Sequence, residues 1–318
     1  MSRDATTLRR AIELRAELYA LIRTFFADRG VVEVETPILS AAGNTEPNIE
    51  SFSTTFSGHI VAGVRERWLR TSPEHAMKRL LAAGIGDCYE LGRVFRNGEA
   101  GRRHNPEFTM LEWYRVGWDH RRLIGETVEL VQRALALVAR EVRVVECTYR
   151  DLFRVELGVD PLTDSIEMLR KPLAKVRIDE TGLSRDDWLD LLITHRIQPA
   201  FPKDRITVVH DFPPSQCALA KVRDGIAERF ELFLGTYELA NGYHELTDAT
   251  EQRARFEGDN ARRRARGQRE VPIDERFLDA LAQLPACAGV ALGIERLLMH
   301  LADTDDIADV IAFPIADA

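Results

Sequence analysis

At 318 residues the chain can hold one large domain or two small ones around a substantial core. Hydrophobic residues make up 45% and charged residues 30%, an ordinary globular balance, and a formal net charge of −8 argues against a protein built mainly to grip a long nucleic acid. Cys88, Cys147, Cys217 and Cys287 form no CxxC pair, the opening MSRDATTLRR leads into no apolar stretch, and no run nears the ~20 apolar residues of a membrane span. The expectation is a cytoplasmic protein without a zinc site, disulfide scaffold, secretory signal or membrane segment.

In chain order, residues 7–29 carry apolar residues at helical spacing and stop at Gly30. VVEVETPIL follows as a short β-rich run closed by Pro37, and residues 40–68 read as loops with short strands. SPEHAMKRLLAAG predicts a helix with Ser72 at its N-cap and Pro73 at its first position. CYELGRVFR reads as a strand, with PEFTMLEWYRVGW as its antiparallel return after a loop. HRRLIGETVELVQRALALVAREV is a long amphipathic helix.

Residues 145–205 mix helix and loop without a chemical motif and read as an inserted helical subdomain. RITVVHDFP and ERFELFLGTYELANG return to strands, the second broken at Gly235 as a hairpin would be. A charged helix, DATEQRARFEGDNARRRARG, reads as a solvated face, and GVALGIERLLMHLA is a strand feeding a helix. Hairpins alternating irregularly with helices favour an α+β fold on an antiparallel or mixed sheet over a doubly wound one.

Four segments bear chemistry. The loop RNGEAGRRHNPEF brings Arg96, Arg103 and His104 between two strands, where guanidinium forks suit a polyphosphate and Phe108 could stack on a purine; a solvated arginine loop fits this segment equally well. In GVALGIERLLM, Gly289 and Gly293 allow close backbone approach and Arg296 sits one turn into a helix, though packing glycines alone explain as much. Glu231, Glu238 and Glu245 recur at sevens; on a hairpin the first two could converge as magnesium ligands, leaving Glu245 for a cation. Exposed strand glutamates are the plain alternative, but Glu238 lies in apolar YELANG, where an unpaired carboxylate is costly. Glu74, in the first turn of its helix, can simply offset the helix dipole.

Together these segments resemble class II aminoacyl-tRNA synthetases, most closely the catalytic domain of the lysyl enzymes. GVVEVETPIL is similar to motif 1, FRNGEAGRRHNPEFTMLEWY to the lysyl form of motif 2, GVALGIERLLM to motif 3, and ELANGYHELTDATEQRARF to the stretch preceding motif 3. The resemblance spans roughly residues 7–313 and implies one catalytic domain over 1–318 with the 145–205 insertion. It also implies a homodimer through motif 1.

The resemblance implies residue roles as well. Arg96 would bridge the substrate carboxylate and the ATP α-phosphate, Arg296 would hold the γ-phosphate, and Phe108 would stack on adenine. Asn97, Gly98, His104, Asn105, Leu239 and Gly293 would line the ATP site, and Glu231 and Glu238 would carry Mg²⁺ beside it. Ser72, Pro73 and Glu74 would take the amino end of a lysine-like substrate; Glu245, Tyr114 and Glu112 would meet its ε-ammonium. Two departures stand out: Gly98 occupies a place where the lysyl pattern has Glu, so that Glu99 could serve from one position later, and Ala291 adds a methyl to the pocket floor.

Because the motif 1 helix starts within the first ten residues, no anticodon-binding domain is expected ahead of it, and tRNA is a poor candidate acceptor. This architecture, with TSPEHAMKRLL and HDFPPSQCALA, resembles the elongation factor P–(R)-β-lysine ligases. It implies ATP-dependent activation of (R)-β-lysine or lysine and transfer to a lysine of elongation factor P. Alternatives are a stand-alone lysyl-type ligase acting on tRNA or a small acceptor, and a non-catalytic amino-acid sensor.

Overall fold

The computed structural model describes residues 5–59, 61, 63 and 65–318; residues 1–4 of the opening segment and 60, 62 and 64 of the loop-rich stretch lie outside the described residues. Two compact units form, Met1–Trp118 with Thr247–Ala318, and Asp119–Leu246.

The first unit starts with helix α1 (Ala5–Ala27), whose Leu14, Leu18, Ile22, Phe25 and Phe26 make a buried stripe at helical spacing. Gly30, at φ +66°, lets the chain leave the helix. Strand β1 (Val32–Glu33) follows, and then a small sheet of β2 (Leu39–Ser40), β3 (Ser53–Thr55) and β4 (Glu66–Leu69) in the order β2-β4-β3.

Helix α2 (Glu74–Ala82) begins one residue later than the sequence predicts, with Pro73 as its N-cap. The Ser72 hydroxyl does accept the Glu74 N–H (3.0 Å), but it donates its own proton to Glu112 (2.7 Å). That second bond draws Ser72 out of a simple capping position and into the sheet's chemistry. Strands β5 (Cys88–Phe95) and β6 (Glu107–Val116) form the predicted antiparallel pair.

The second unit opens with α3 (His120–Ala136), capped by Asp119, which accepts the Arg122 N–H at 2.9 Å. Strand β7 (Arg143–Thr148) then pairs in parallel with β8 (Arg205–Phe212). The helical stretch expected from 145 therefore starts at Tyr149, because 145–148 belong to a sheet edge. It contains α4 (Tyr149–Leu157), α5 (Ile166–Arg170) and α6 (Arg185–Leu192), packed around Tyr149, Phe153, Leu169, Trp188 and Leu192. Strands β9 (Val222–Arg223), β10 (Ile226–Leu234) and β11 (Tyr237–His244) complete this unit in the order β11-β10-β8-β7, with β9 on β10. The hairpin turns at Gly235 as predicted, at φ +54°, where a Cβ would come within 3.1 Å of Lys203 Cα.

The chain returns to the first unit with α7 (Ala249–Ala265), α8 (Glu275–Leu281), β12 (Cys287–Gly293) and α9 (Ile294–Leu301). The reading of α7 as a purely solvated face fails at Arg263, which is fully buried, donates to the Arg269 carbonyl and pairs with Glu50. The sheet of this unit runs β1-β5-β6-β12. Among the described residues no helix is long and apolar enough to cross a membrane.

Alternation along β6 decides what each face does. Leu111 and Trp113 are buried on one side, where Trp113 and its cross-strand partner Tyr89 both meet Phe26 of α1. The opposite face therefore carries Phe108, Met110, Glu112 and Tyr114. Register extends it across three strands as the rows Gly92–Met110–Gly293, Glu90–Glu112–Ala291 and Cys88–Tyr114–Gly289. Small residues of β12 thus flank the two functional groups of β6.

Candidate active site

The start of this face is basic. The loop leading into β6 is tied down: the Asn97 N–H donates to the Glu50 carbonyl (2.8 Å), and the Arg102 carbonyl accepts the Ile307 N–H (2.8 Å). Asn105 donates to the Glu107 carbonyl (2.7 Å) and accepts the Ile315 N–H (2.9 Å). Its side chain therefore clasps the C-terminal segment onto the loop.

On this platform the Arg96 guanidinium lies over the Phe108 ring, 5.2 Å from its centroid, and 3.8 Å from Glu99. Its Nε is buried without a hydrogen-bond partner, a donor position suited to an incoming oxygen. Arg296, in the first turn of α9, donates to His104 Nε2 at 2.7 Å. Burial and the guanidiniums of Arg296, Arg96 and Arg103 hold the His104 pKa below its usual range, with Glu99 opposing. Arg96 and Arg296, from separate segments, are therefore gathered around one imidazole. A neutral His104 adds no positive charge and offers Arg296 its lone pair. Gly98 adopts φ +82°, which disfavours the glutamate of the lysyl pattern, and Glu99 turns toward Arg96. Beyond Gly293 a Cβ would meet nothing within 4 Å, so the face is open there.

About 13 Å further along β6, by the strand rise between Phe108 and Glu112, the face turns acidic. Glu112 is buried and accepts hydrogen bonds from Ser72 (2.7 Å) and from Tyr114 (2.6 Å). Burial foremost, and then the Glu74 carboxylate, push its pKa up to about 7; Tyr114, Ser72 and Lys78 pull the other way. Glu74 is itself held by Lys78, whose buried Nζ lies 2.5 Å from Glu74 Oε1. Pro73, as the N-cap of α2, sets the helix start that places Ser72 and Glu74 side by side. Ala291 is the cross-strand partner of Glu112, so its methyl lies on the same face beside the carboxylate. Glu90, on the other flank, is neutralised by Arg70 at 2.5 Å and accepts from the Thr36 hydroxyl at 2.7 Å. Two carboxylates and a phenol in this setting suit an ammonium.

Glu231, Glu238, Leu239 and Glu245 belong to the second unit. Glu231 pairs with Arg229, which also donates to the Gln216 carbonyl (2.8 Å) and lies over Phe212 at 4.5 Å. Burial pushes the Glu231 pKa up to about 7; Glu238 and Asp190 add to that rise, and Arg229 counters it. In the hairpin register Glu231 stands opposite Asn241 and Glu238 opposite Phe233. Leu239 and Glu245 are both buried. Among the described residues no group of three or more His, Cys, Asp and Glu is arranged to hold a metal ion. A carboxylate pair without further protein ligands fits Mg²⁺ held jointly with substrate phosphates, since Mg²⁺ commonly takes one or two carboxylates.

The family model of tRNA synthetases class II (D, K and N) matches residues 2–317. The chain belongs to this family. It is 48% identical over 308 residues to a Proteus mirabilis protein named elongation factor P–(R)-β-lysine ligase, covering 95% of this chain and 94% of that one. Proteins of the same name from Salmonella gallinarum and Salmonella paratyphi B are 47% identical with the same coverage.

Sequence reasoning missed the two cations behind the acidic groups, Lys78 and Arg70. For Lys78 a signal was present. Glu74, Lys78 and Leu81 fall on one stripe of α2, and the helix buries Met77, Lys78 and Leu81 together. A lysine at an apolar position needs a partner, and Glu74 lies one turn earlier. Nothing local marks Arg70, whose partners Thr36 and Glu90 come from distant segments.

Proposed function

We propose that this protein activates (R)-β-lysine, or lysine, with ATP and transfers it to a lysine side chain of elongation factor P, working in the cytoplasm as a homodimer. The observation carrying this reading is the polarity of one sheet face: guanidiniums around Phe108 at the start of β6, carboxylates and a phenol around Glu112 further along. A nucleoside triphosphate suits the first and an amine the second. The names of the relatives supply the isomer and the acceptor.

In the first step the amino-acid carboxylate attacks the α-phosphorus in line, forming the acyl–phosphate bond as the bond to pyrophosphate breaks. Arg96 orients the carboxylate against the α-phosphate, Phe108 stacks on adenine, and Arg296 holds the far phosphate. Asn97, Gly98, His104, Asn105 and Gly293 line the nucleotide. Ser72, Pro73 and Glu74 receive the amino end of the substrate, with Glu112, Tyr114 and Ala291 around its chain and ammonium. Glu231 and Glu238 would hold Mg²⁺, which supplies charge neutralisation on the phosphates when bound.

In the second step the neutral ε-amine of the acceptor lysine attacks the acyl carbon, forms the amide, loses a proton and expels AMP. No enzyme nucleophile is involved, so fixed charge and positioning supply the acceleration. Exposed Ile12, Val32, Ile38 and Leu39 in the motif 1 region support the dimer.

The test is to supply labelled (R)-β-lysine or α-lysine, ATP, and either elongation factor P or tRNA. Label on elongation factor P is the expected outcome. Label on tRNA alone favours the stand-alone lysyl-type reading, and no lysine-dependent pyrophosphate exchange overturns activation altogether.

A further inference from the structure

Lys78 is 1% exposed, and its ammonium lies 2.5 Å from Glu74 Oε1 and 5.8 Å from the centroid of the Phe277 ring of α8. A glutamate followed four residues later by a lysine is common on helix surfaces, where it contributes only tenths of a kcal/mol. Here the lysine is buried and the glutamate half-buried, and an ion pair with a buried member is a poor stabiliser because desolvation cancels much of the attraction. Its geometry therefore calls for a reason other than stability.

The surroundings supply one. The Ser72 hydroxyl joins Glu74 to Glu112 by accepting the Glu74 N–H and donating to the Glu112 carboxylate. Tyr114 closes the other Glu112 oxygen. Helix α2 is braced from α8, where His75 stacks on Phe277 with centroids 4.3 Å apart and faces Asp274 at 3.7 Å. The backbone at Glu74 is thus held by Ser72 and its helix by α8, and Lys78 holds the carboxylate itself.

We propose that Lys78 is a positioning residue that pins the Glu74 carboxylate and so sets which positional isomer of a lysine-like substrate is activated. This rests on the reading that Glu74 receives the substrate's amino group. α- and β-amino acids differ by one carbon in the distance between carboxylate and amine. With the carboxylate held at the nucleotide end, an immobile Glu74 oxygen accepts only one of those distances. A Glu74 free to swing would accept both.

The test uses Lys78→Met, which keeps an unbranched apolar stem, in pyrophosphate exchange with (R)-β-lysine and α-lysine. The kcat/KM for the preferred isomer should fall about 100-fold and that for the other about 5-fold or less, given what one misplaced contact does to discrimination. The KM for ATP should stay within about twofold, because Lys78 lies at the amino-acid end of the face. Glu74→Gln with Lys78→Met should discriminate no worse than Glu74→Gln alone, as expected for a residue acting through another.

Equal losses for both isomers, a parallel rise in the ATP KM, or multiplying effects in the double variant overturn the proposal. Should Lys78→Met not fold, Lys78→Gln gives the same comparison with a donor retained and the charge removed. Wild-type protein inactive with every lysine isomer overturns the activation reading instead, whereas active wild type with unchanged discrimination in the variant overturns this inference alone.

Discussion

The two ends of one strand face are built on opposite principles. At the start of β6, Arg96 and Glu99 stay 25% and 30% exposed and are 3.8 Å apart, and Arg296 reaches in from the first turn of another element. Around Glu112 the groups are closed into a hydrogen-bonded set, with Glu112, Tyr114 and Lys78 buried and Ser72 and Glu74 half-buried. A large polyanion that must enter and leave is met by loosely partnered cations on an anchored loop. A small cation that must be recognised is met by carboxylates already held in place. The first arrangement favours charge stabilisation as the reaction proceeds, the second favours selection among similar molecules.

The sharpest way to break this contrast is Arg96→Ala. Removing a preorganised donor at developing phosphate charge should cost about 10³-fold in pyrophosphate exchange. Near-normal exchange would place the nucleotide elsewhere. At the other end, Glu112→Gln keeps the side chain's shape but leaves one acceptor oxygen where Ser72 and Tyr114 each have their own, and it removes a buried charge. The amino-acid KM should rise about 100-fold, roughly a charge-assisted hydrogen bond, with the ATP KM unchanged. A variant that raises the two KM values together would show that the ends are not separate sites.

How much of this was legible in the sequence follows the same division. The basic end was readable because its residues cluster in one loop, and because GVALGIERLLM matches the strand-to-helix pattern that carries Arg296. The β5–β6 pair and the hairpin at Gly235 were readable from turn chemistry and alternation. The acidic end was only half readable: Ser72, Glu74, Glu112 and Tyr114 were named, but their interlocking depends on Ser72, at the entry to α2, reaching Glu112 of β6. Ser72 misled as a helix cap because its hydroxyl has two partners, one of them outside its own segment. Residues 145–148 of the edge strand Arg143–Thr148 were taken for insertion because the strand lacks an alternating pattern, with Val144 and Val145 both exposed, and only its pairing with β8 marks it as sheet. Arg263 misled because a helix read alone cannot reveal that Glu50 and the Arg269 carbonyl come to meet it.

A pH series sharpens the comparison without altering the protein. Glu112 titrates at about 7 in the folded chain, above the usual 4.5 of its side chain. In the free protein this group's contribution to stability is therefore fully present below about pH 4.5 and is lost as pH rises through about 7. An ammonium ligand needs the carboxylate, so binding must expel the proton. The rise in melting temperature on adding the amino acid should thus be larger at pH 8 than at pH 6, and the amino-acid KM should rise severalfold over the same descent. Burial and the neighbouring guanidiniums hold His104 below its ordinary range, which disfavours its protonation, so the ATP KM should change less than the amino-acid KM. A ligand-induced shift independent of pH would remove Glu112 from the amine's neighbourhood.

The smallest expected effect tests the floor between the two ends. Ala291 lies in register with Glu112, and Gly293, two residues on, leaves open space above the strand. The side chain at 291 is thus the one methyl on β12 standing between the open nucleotide end and the acidic cluster. Ala291→Gly removes it without touching a charge or a hydrogen bond. One methyl in a pocket is worth about 1–3 kcal/mol of discrimination, so the ratio of kcat/KM between the two lysine isomers should shift about tenfold. The direction identifies the tighter substrate, because the isomer whose backbone presses on residue 291 gains most from its loss. If the glycine variant keeps the wild-type ratio, the substrate does not lie along this row, and isomer choice is set on α2 alone.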